Sequence, residues 1–178
     1  NLGCFGDGGA IITDNEEIYN KIKMLRNYGS SKRYYFDEVG LNSRLDEIQA
    51  ALLSVRLSHL DELTNERYEI ADYYLKNIKN DKIDLPKTRE GAGNVYHQFV
   101  IRCKTRDDLI KYLDEKGIGT IIHYPVPPHL SACYENLGYK KGDLPITEEL
   151  ADTVLSIPMY NGITKEEQDR VIEALNNY

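Results

Sequence analysis

The feature that most constrains this chain is a long run of apolar residues at helical spacing that begins behind a polar turn. In Gly40-Leu41-Asn42-Ser43-Arg44-Leu45-Asp46-Glu47-Ile48-Gln49-Ala50-Ala51, Asn42 or Ser43 can act as the N-cap, with Asp46 or Glu47 in the first turn. Side-chain oxygens there satisfy amides that lack a helical partner. Leu45, Ile48, Leu52, Val55, Leu60, Leu63, Ile70, Tyr74 and Ile78 follow mostly three, four or seven apart, with neither Pro nor Gly until beyond Asn80. The spacing predicts one helix, or two nearly continuous ones, running for roughly 50 Å. A helix of that length bridges two bodies more readily than it fits within one. Its N-terminus also suits an anion, because free amides and the helix dipole both favour a phosphate. The plainer reading is a well-capped structural helix.

The segments before it divide into a glycine-rich start, a short helix and a loop. Gly3, Gly6, Gly8 and Gly9 lead into the apolar run Ala10-Ile11-Ile12-Thr13. A phosphate-cradling loop needs a helix N-terminus after its glycines, and here a strand-like run follows, so the glycines are read as permitting close backbone approach in a buried strand. Asp14 with Glu17 has the spacing of a capping box and opens a helix with Ile18, Ile22 and Leu25 on one face, ended by Gly29. Lys32, Arg33, Tyr34, Tyr35 and Phe36 fall in an exposed loop from Ser30 to Val39, the kind of segment that often carries ligand contacts.

Beyond the long helix, Asn80-Asp81-Lys82 and Leu85-Pro86 mark a turn, and the chain changes character. Alternation from Val95 to Arg102 predicts a strand with His97 on its apolar face as a core histidine. Thr105 caps a helix through Leu109, Ile110 and Leu113, Gly117 ends it, and Gly119 to Tyr124 reads as a further strand. Strand, helix and strand together make a small α/β domain. Pro125, Pro127 and Pro128 then stiffen the backbone, so that His123, Tyr124 and His129 are expected on a rigid loop. Two histidines and a tyrosine suit a sugar or a diphosphate. No carboxylate or Cys stands at ligand spacing from them, so no metal is expected there. In the tail, Thr147 caps a helix, Leu155 to Tyr160 forms a short strand, and Thr164 with Glu167 forms a capping box for a last helix through Val171, Ile172 and Leu175. The 14 tyrosines are scattered, which suits half-buried packing positions and not a platform for bases.

Composition narrows the function classes. A formal charge of -7 with scattered Lys and Arg argues against a nucleic-acid surface. No apolar run approaches the roughly 20 residues that span a membrane. Cys4, Cys103 and Cys133 are odd in number and far apart, which suits reduced thiols in a cytoplasmic protein.

The segment Gly40 to Ala51 resembles a motif of the nucleotide-sugar aminotransferases, pyridoxal 5'-phosphate (PLP) enzymes of the aspartate-aminotransferase fold. Asn1-Leu2-Gly3-Cys4-Phe5-Gly6-Asp7-Gly8-Gly9-Ala10-Ile11-Ile12, Leu25-Arg26-Asn27-Tyr28-Gly29, His123-Tyr124-Pro125-Val126-Pro127-Pro128-His129 and Leu155-Ser156-Ile157-Pro158-Met159-Tyr160 resemble its other signatures, in family order. The resemblance implies an α/β chain that is the C-terminal part of a PLP-dependent transferase fold. Residues 1–50 would be the end of the large, cofactor-binding domain, and residues 51–178 the bridging helix and small C-terminal domain. It places the Schiff-base lysine directly before Asn1, so a C-terminal half without that catalytic residue is expected.

The resemblance further implies an amino group moved, with glutamate as donor, onto a keto-deoxysugar nucleotide linked to dTDP or UDP. It gives Asn42 to the cofactor phosphate of the neighbouring subunit in a homodimer, and Tyr28, Arg44, His123, Tyr124 and His129 to the substrate. Where Pro128 stands the family often has another residue. Two other readings remain: a PLP- or pyridoxamine-dependent sugar-nucleotide dehydratase of the same superfamily, and a non-catalytic binding module.

Overall fold

A computed structural model describes residues 1–178, which divide into two compact units, Asn1–Asp61 and Glu62–Tyr178. The first unit holds helix α1 (Glu16–Leu25), the short strands β1 (Ser30–Lys32) and β2 (Tyr35–Phe36), and helix α2 (Glu47–Ser58). Helix α3 (Leu60–Asn77) starts within its last residues. It is followed in the second unit by β3 (Ile83–Asp84), β4 (Phe99–Cys103), α4 (Arg106–Glu115), 3-10 turns at Pro128–Leu130 and Ala132–Leu137, α5 (Pro145–Thr153), β5 (Val154–Ile157) and α6 (Lys165–Asn176). No helix is long and apolar enough to cross a membrane.

The long apolar run is two helices, parted at His59. The first begins later than the cap residues suggest. Asp46 is the N-cap of α2 and makes no capping bond through its side chain, while Asn42 lies in an isolated antiparallel bridge with Asn27. The polar residues at 42 and 43 thus shape the approach to the helix instead of starting it. In α1 the cap is Asn15, whose side chain accepts from the Ile18 amide, and not Asp14. That helix ends at Leu25, with the Gly29 amide still reaching back to the Met24 carbonyl.

Other local expectations also shift in the first unit. Residues 10–13 form no strand, and Ile12 is 95% exposed, because no neighbouring strand is present to pair with the run. The loop from Ser30 to Val39 contains the antiparallel β1–β2 hairpin, whose aromatic side chains remain exposed. Close backbone approach occurs instead at Gly29 and Gly40. A Cβ on Gly29 would lie 1.9 Å from the Glu38 carbonyl oxygen, and one on Gly40 would lie 2.1 Å from the Gly29 nitrogen. Gly29 also has φ +72°, a backbone region that side chains disfavour.

The second unit has a sheet in the order β3-β4-β5, antiparallel throughout. Phe99 pairs with Ile157 and Ile101 with Leu155, and these residues share the buried face. Alternation explains that face, but the strand begins at Phe99, so Val95 and His97 precede it and both are exposed. His97 is therefore not a core histidine; its carbonyl and that of Tyr96 accept from Arg67. Residues 119–124 join the sheet only through a bridge from Ile121 to Ser156.

Helices α3, α4 and α6 close the core with Ile70, Tyr74, Leu109, Leu113, Val171 and Leu175. Tyr74 meets the Phe99 ring edge-on at 5.2 Å and donates its hydroxyl proton to the Pro158 carbonyl at 3.0 Å. Burial raises its pKa above the usual tyrosine value, aided by nearby Tyr160 and Glu167. The capping box at Thr164 and Glu167 is present at the start of α6. Thr105 precedes α4 without a capping bond, and its hydroxyl pairs with Tyr178 instead. Thr147 lies inside α5, which Pro145 opens, a proline at the first helical position needing no amide partner. Many of the tyrosines, among them Tyr28, Tyr34, Tyr35 and Tyr124, are exposed instead of half-buried.

Candidate functional site

In the first unit, the turn after α1 and the approach to α2 are sewn together by backbone hydrogen bonds. Tyr28 donates to the Leu41 carbonyl, Leu41 to that of Leu25 and Ser43 to that of Arg26, each at 2.9 Å. Gly29 and Gly40 permit this contact, since any side chain at either position would meet backbone. The result gathers Asn27, Tyr28, Asn42 and Arg44. Arg44 donates from Nε to Asn42 Oδ1 at 2.9 Å and from Nη1 to Asn27 Oδ1 at 3.0 Å, and its guanidinium stands 5.5 Å from the Tyr28 ring centre. Tyr28 holds φ 61°, uncommon for a residue with a side chain. Backbone strain kept in a polar cluster marks a place where geometry is over-determined by its surroundings.

The donor chemistry of this cluster suits a phosphate. Asn42 spends its carbonyl on Arg44, which leaves its amide N–H groups for a ligand, and Arg44 keeps the Nη2 group that neither asparagine uses. Helix α2 adds a first turn that its N-cap side chain does not satisfy. Free amides and the positive end of the helix dipole therefore stand four residues beyond Asn42 in the chain.

In the second unit the prolines and the sheet edge position a different set. Ser156 of β5 exchanges both backbone hydrogen bonds with Ile121, at 3.2 and 2.8 Å, and its Oγ lies 2.8 Å from Nδ1 of His123. Tyr124 is 72% exposed, its ring edge-on to that of His123 at 5.4 Å. His129 does not share this display. Its side chain is only 5% exposed, with Nε2 3.0 Å from Glu148 Oε1. The reason is the 3-10 turn opened by Pro128, which carries His129 back against the start of α5.

Glu148 also accepts from the Gly142 amide at 2.8 Å and from the Leu144 amide at 3.3 Å. These bonds, led by that to His129, hold its carboxyl below the usual glutamate range. His129 Nδ1 is buried without a protein partner.

The structure thus brings Tyr28, Asn42 and Arg44 together, sets His123 beside Tyr124, and withdraws His129. Sequence reasoning missed Asn27, Ser156 and Glu148. Asn27 and Ser156 stood inside the quoted signatures, and Ser156 could have been found there as a polar residue between Leu155 and Ile157. Glu148, 19 residues from His129, offered no local signal.

Comparison with known proteins supplies what geometry cannot. The sequence pattern of the DegT/DnrJ/EryC1/StrS aminotransferase family matches residues 1–176. The chain is 46% identical to the dTDP-3-amino-3,6-dideoxy-alpha-D-galactopyranose transaminase of Aneurinibacillus thermoaerophilus, over 96% of this chain and 47% of that protein. It is 43% identical to DesV of S. venezuelae, solved in complex with a ketimine intermediate, with a TM-score of 0.94 over 98% of this chain and 47% of that one. NtdA from Bacillus subtilis, solved with bound cofactor PMP, is 31% identical, with a TM-score of 0.82 over 93% of this chain and 40% of that one. The chain spans about half the length of the curated relatives it matches. Its fold is the C-terminal part of the sugar-aminotransferase fold. With the signature residues in family order and the match running from Asn1 to Asn176, the chain belongs to the DegT/DnrJ/EryC1/StrS aminotransferase family.

Proposed function

We propose that this chain works within a cytoplasmic, PLP-dependent aminotransferase that moves an amino group from glutamate onto the ketone of a keto-deoxysugar nucleotide. The observation that carries this reading is the phosphate-suited cluster at Asn42 and Arg44, held by the close approach of Gly29 and Gly40. The transaminase name of the Aneurinibacillus relative and the PMP bound to NtdA support it. When bound, the cofactor supplies an electron sink and an amino-group carrier.

The residues of this chain hold and orient. Asn42 binds the cofactor phosphate through its side-chain amide, with the first turn of α2 behind it, and does so for the partner subunit of a homodimer. Arg44 orients Asn42 by fixing its carbonyl and offers Nη2 to the substrate, alongside the hydroxyl of Tyr28. His123 and Tyr124 hydrogen-bond the nucleotide sugar from the exposed edge of the small domain. His129 serves the substrate loop from behind, through Glu148. On this reading residues 1–50, with α1 and the Asn42 turn, belong to the cofactor side, and residues 51–178 to the bridging helix and small domain.

The test is Asn42→Ala in the full-length dimer, with PLP affinity read from cofactor absorbance after graded dialysis. Losing charge-assisted contacts to a phosphate predicts a roughly ten-fold weaker affinity with the protein still folded. Unchanged affinity overturns the assignment.

A further inference from the structure

The geometry points to Ser156 as the positioning residue of His123. This rests on the reading that His123 contacts the nucleotide sugar. Ser156 is buried in β5, and its backbone is tied on both sides to Ile121, two residues before the histidine. On that fixed backbone the hydroxyl stands 2.8 Å from Nδ1. A buried hydroxyl proton left unpaired costs about as much as a lost hydrogen bond. Nδ1 is the partner the structure gives the Ser156 hydroxyl, so the Ser156 O–H donates and Nδ1 accepts.

One consequence follows for the other side of the ring. A neutral imidazole that accepts at Nδ1 carries its proton on Nε2, and His123 Nε2 has no partner within the chain. Ser156 thus sets His123 as an N–H donor, oriented by a strand and not by a loop. A donor of this kind matches the oxygens of a diphosphate or of a sugar hydroxyl. It would not match a substrate group that has only protons to give.

The experiment uses the full-length enzyme with ¹⁵N-labelled histidine and the variants Ser156→Ala, Ser156→Thr, His123→Gln and Ser156→Ala with His123→Gln. Ring nitrogen shifts, assigned by loss of the His123 signal, report the tautomer. In the parent and in Ser156→Thr, which keeps the hydroxyl, the Nε2–H form is expected; in Ser156→Ala the two tautomers mix. The KM for the sugar nucleotide is expected to rise about five-fold in Ser156→Ala, the equivalent of one hydrogen bond, with the KM for glutamate unmoved. The double variant should be no worse than His123→Gln, because Ser156 acts only through the histidine.

An unaltered tautomer in Ser156→Ala, or single effects that multiply in the double variant, overturns the role of Ser156 alone. An unchanged sugar-nucleotide KM in His123→Gln overturns the substrate reading of His123 and, with it, the role of Ser156 in the reaction.

Discussion

The two units are stabilised by different means. From Asn1 to Asp61 only Gly29 is buried, whereas the second unit holds the whole apolar core, from Ile70 on α3 to Leu175 on α6. The first unit is nevertheless written with burial in mind: Ile48, Leu52 and Val55 line α2 at helical spacing, and all are exposed. Amphipathic patterning states which face a helix offers, and it does not state that the same chain will cover it. Here the unit is ordered by backbone hydrogen bonds, close glycines and polar side chains, in a chain that spans about half the length of its relatives.

The largest expected effect tests that contrast directly. Phe99 is 0% exposed and packs on Tyr74 and Tyr96, so Phe99→Ala in the 178-residue chain should cost about 3–5 kcal/mol in denaturant unfolding. Ile48 is 72% exposed, and Ile48→Ala should stay within about 0.5 kcal/mol. Comparable losses would show that the contrast is wrong. A small loss in this chain and a large one in the homodimer proposed above would sharpen it, by showing that α2 is covered from outside.

The next effect is local to the first unit. Gly29→Ala adds a methyl 1.9 Å from a carbonyl oxygen at a left-handed φ, and should destabilise the turn by about 1–3 kcal/mol. Hydrogen exchange at the Tyr28 and Leu41 amides, which bridge the two segments, reads this without relying on global unfolding. Exchange that matches the parent would mean that the close approach does not hold the Asn42 cluster.

What was legible in the sequence follows the range of the interactions involved. The capping box of α6 and the long helical run are written within a few residues, and both are present. The strand at Phe99 was legible in period but not in its start, because Val95 and Tyr96 alternate as well as the strand itself while Tyr96 and His97 hand their carbonyls to Arg67. Capping residues were misplaced by one at Asn15 and by several at Asp46, since Asp14, Asn42 and Ser43 offer the same oxygens and only the entering backbone decides among them. The candidate site was half readable. Asn42, Arg44, His123 and Tyr124 are in its quoted signatures, but the pairs His129–Glu148 and His123–Ser156 join residues 19 and 33 apart.

The second unit also carries a buried acid-sensitive contact, between Glu148 and His129. Glu148 has its carboxyl held below the ordinary value of 4.5, chiefly by its bond to His129. A depressed carboxyl stabilises the fold above its unfolded pKa, and that contribution is lost as pH falls through the folded value. Urea midpoints of the parent and Glu148→Gln should therefore differ at neutral pH and converge below pH 4.5. Parallel curves across that range would remove Glu148 from the account.

The smallest effect compares like with like across the two units. Asn15 caps α1 and Thr164 caps α6, each through a side-chain oxygen on a backbone amide, so each alanine substitution removes the same kind of bond, worth about 1 kcal/mol. The consequences should differ because the helices differ. Helix α6 buries Val171, Ile172 and Leu175, so its fraying is coupled to the core and Thr164→Ala should lower the global midpoint. Helix α1 buries nothing, so Asn15→Ala should speed amide exchange at Ile18 and its neighbours while leaving that midpoint in place. If both variants move the midpoint alike, α1 is coupled to the core after all, and the first unit owes its order to more than its own backbone.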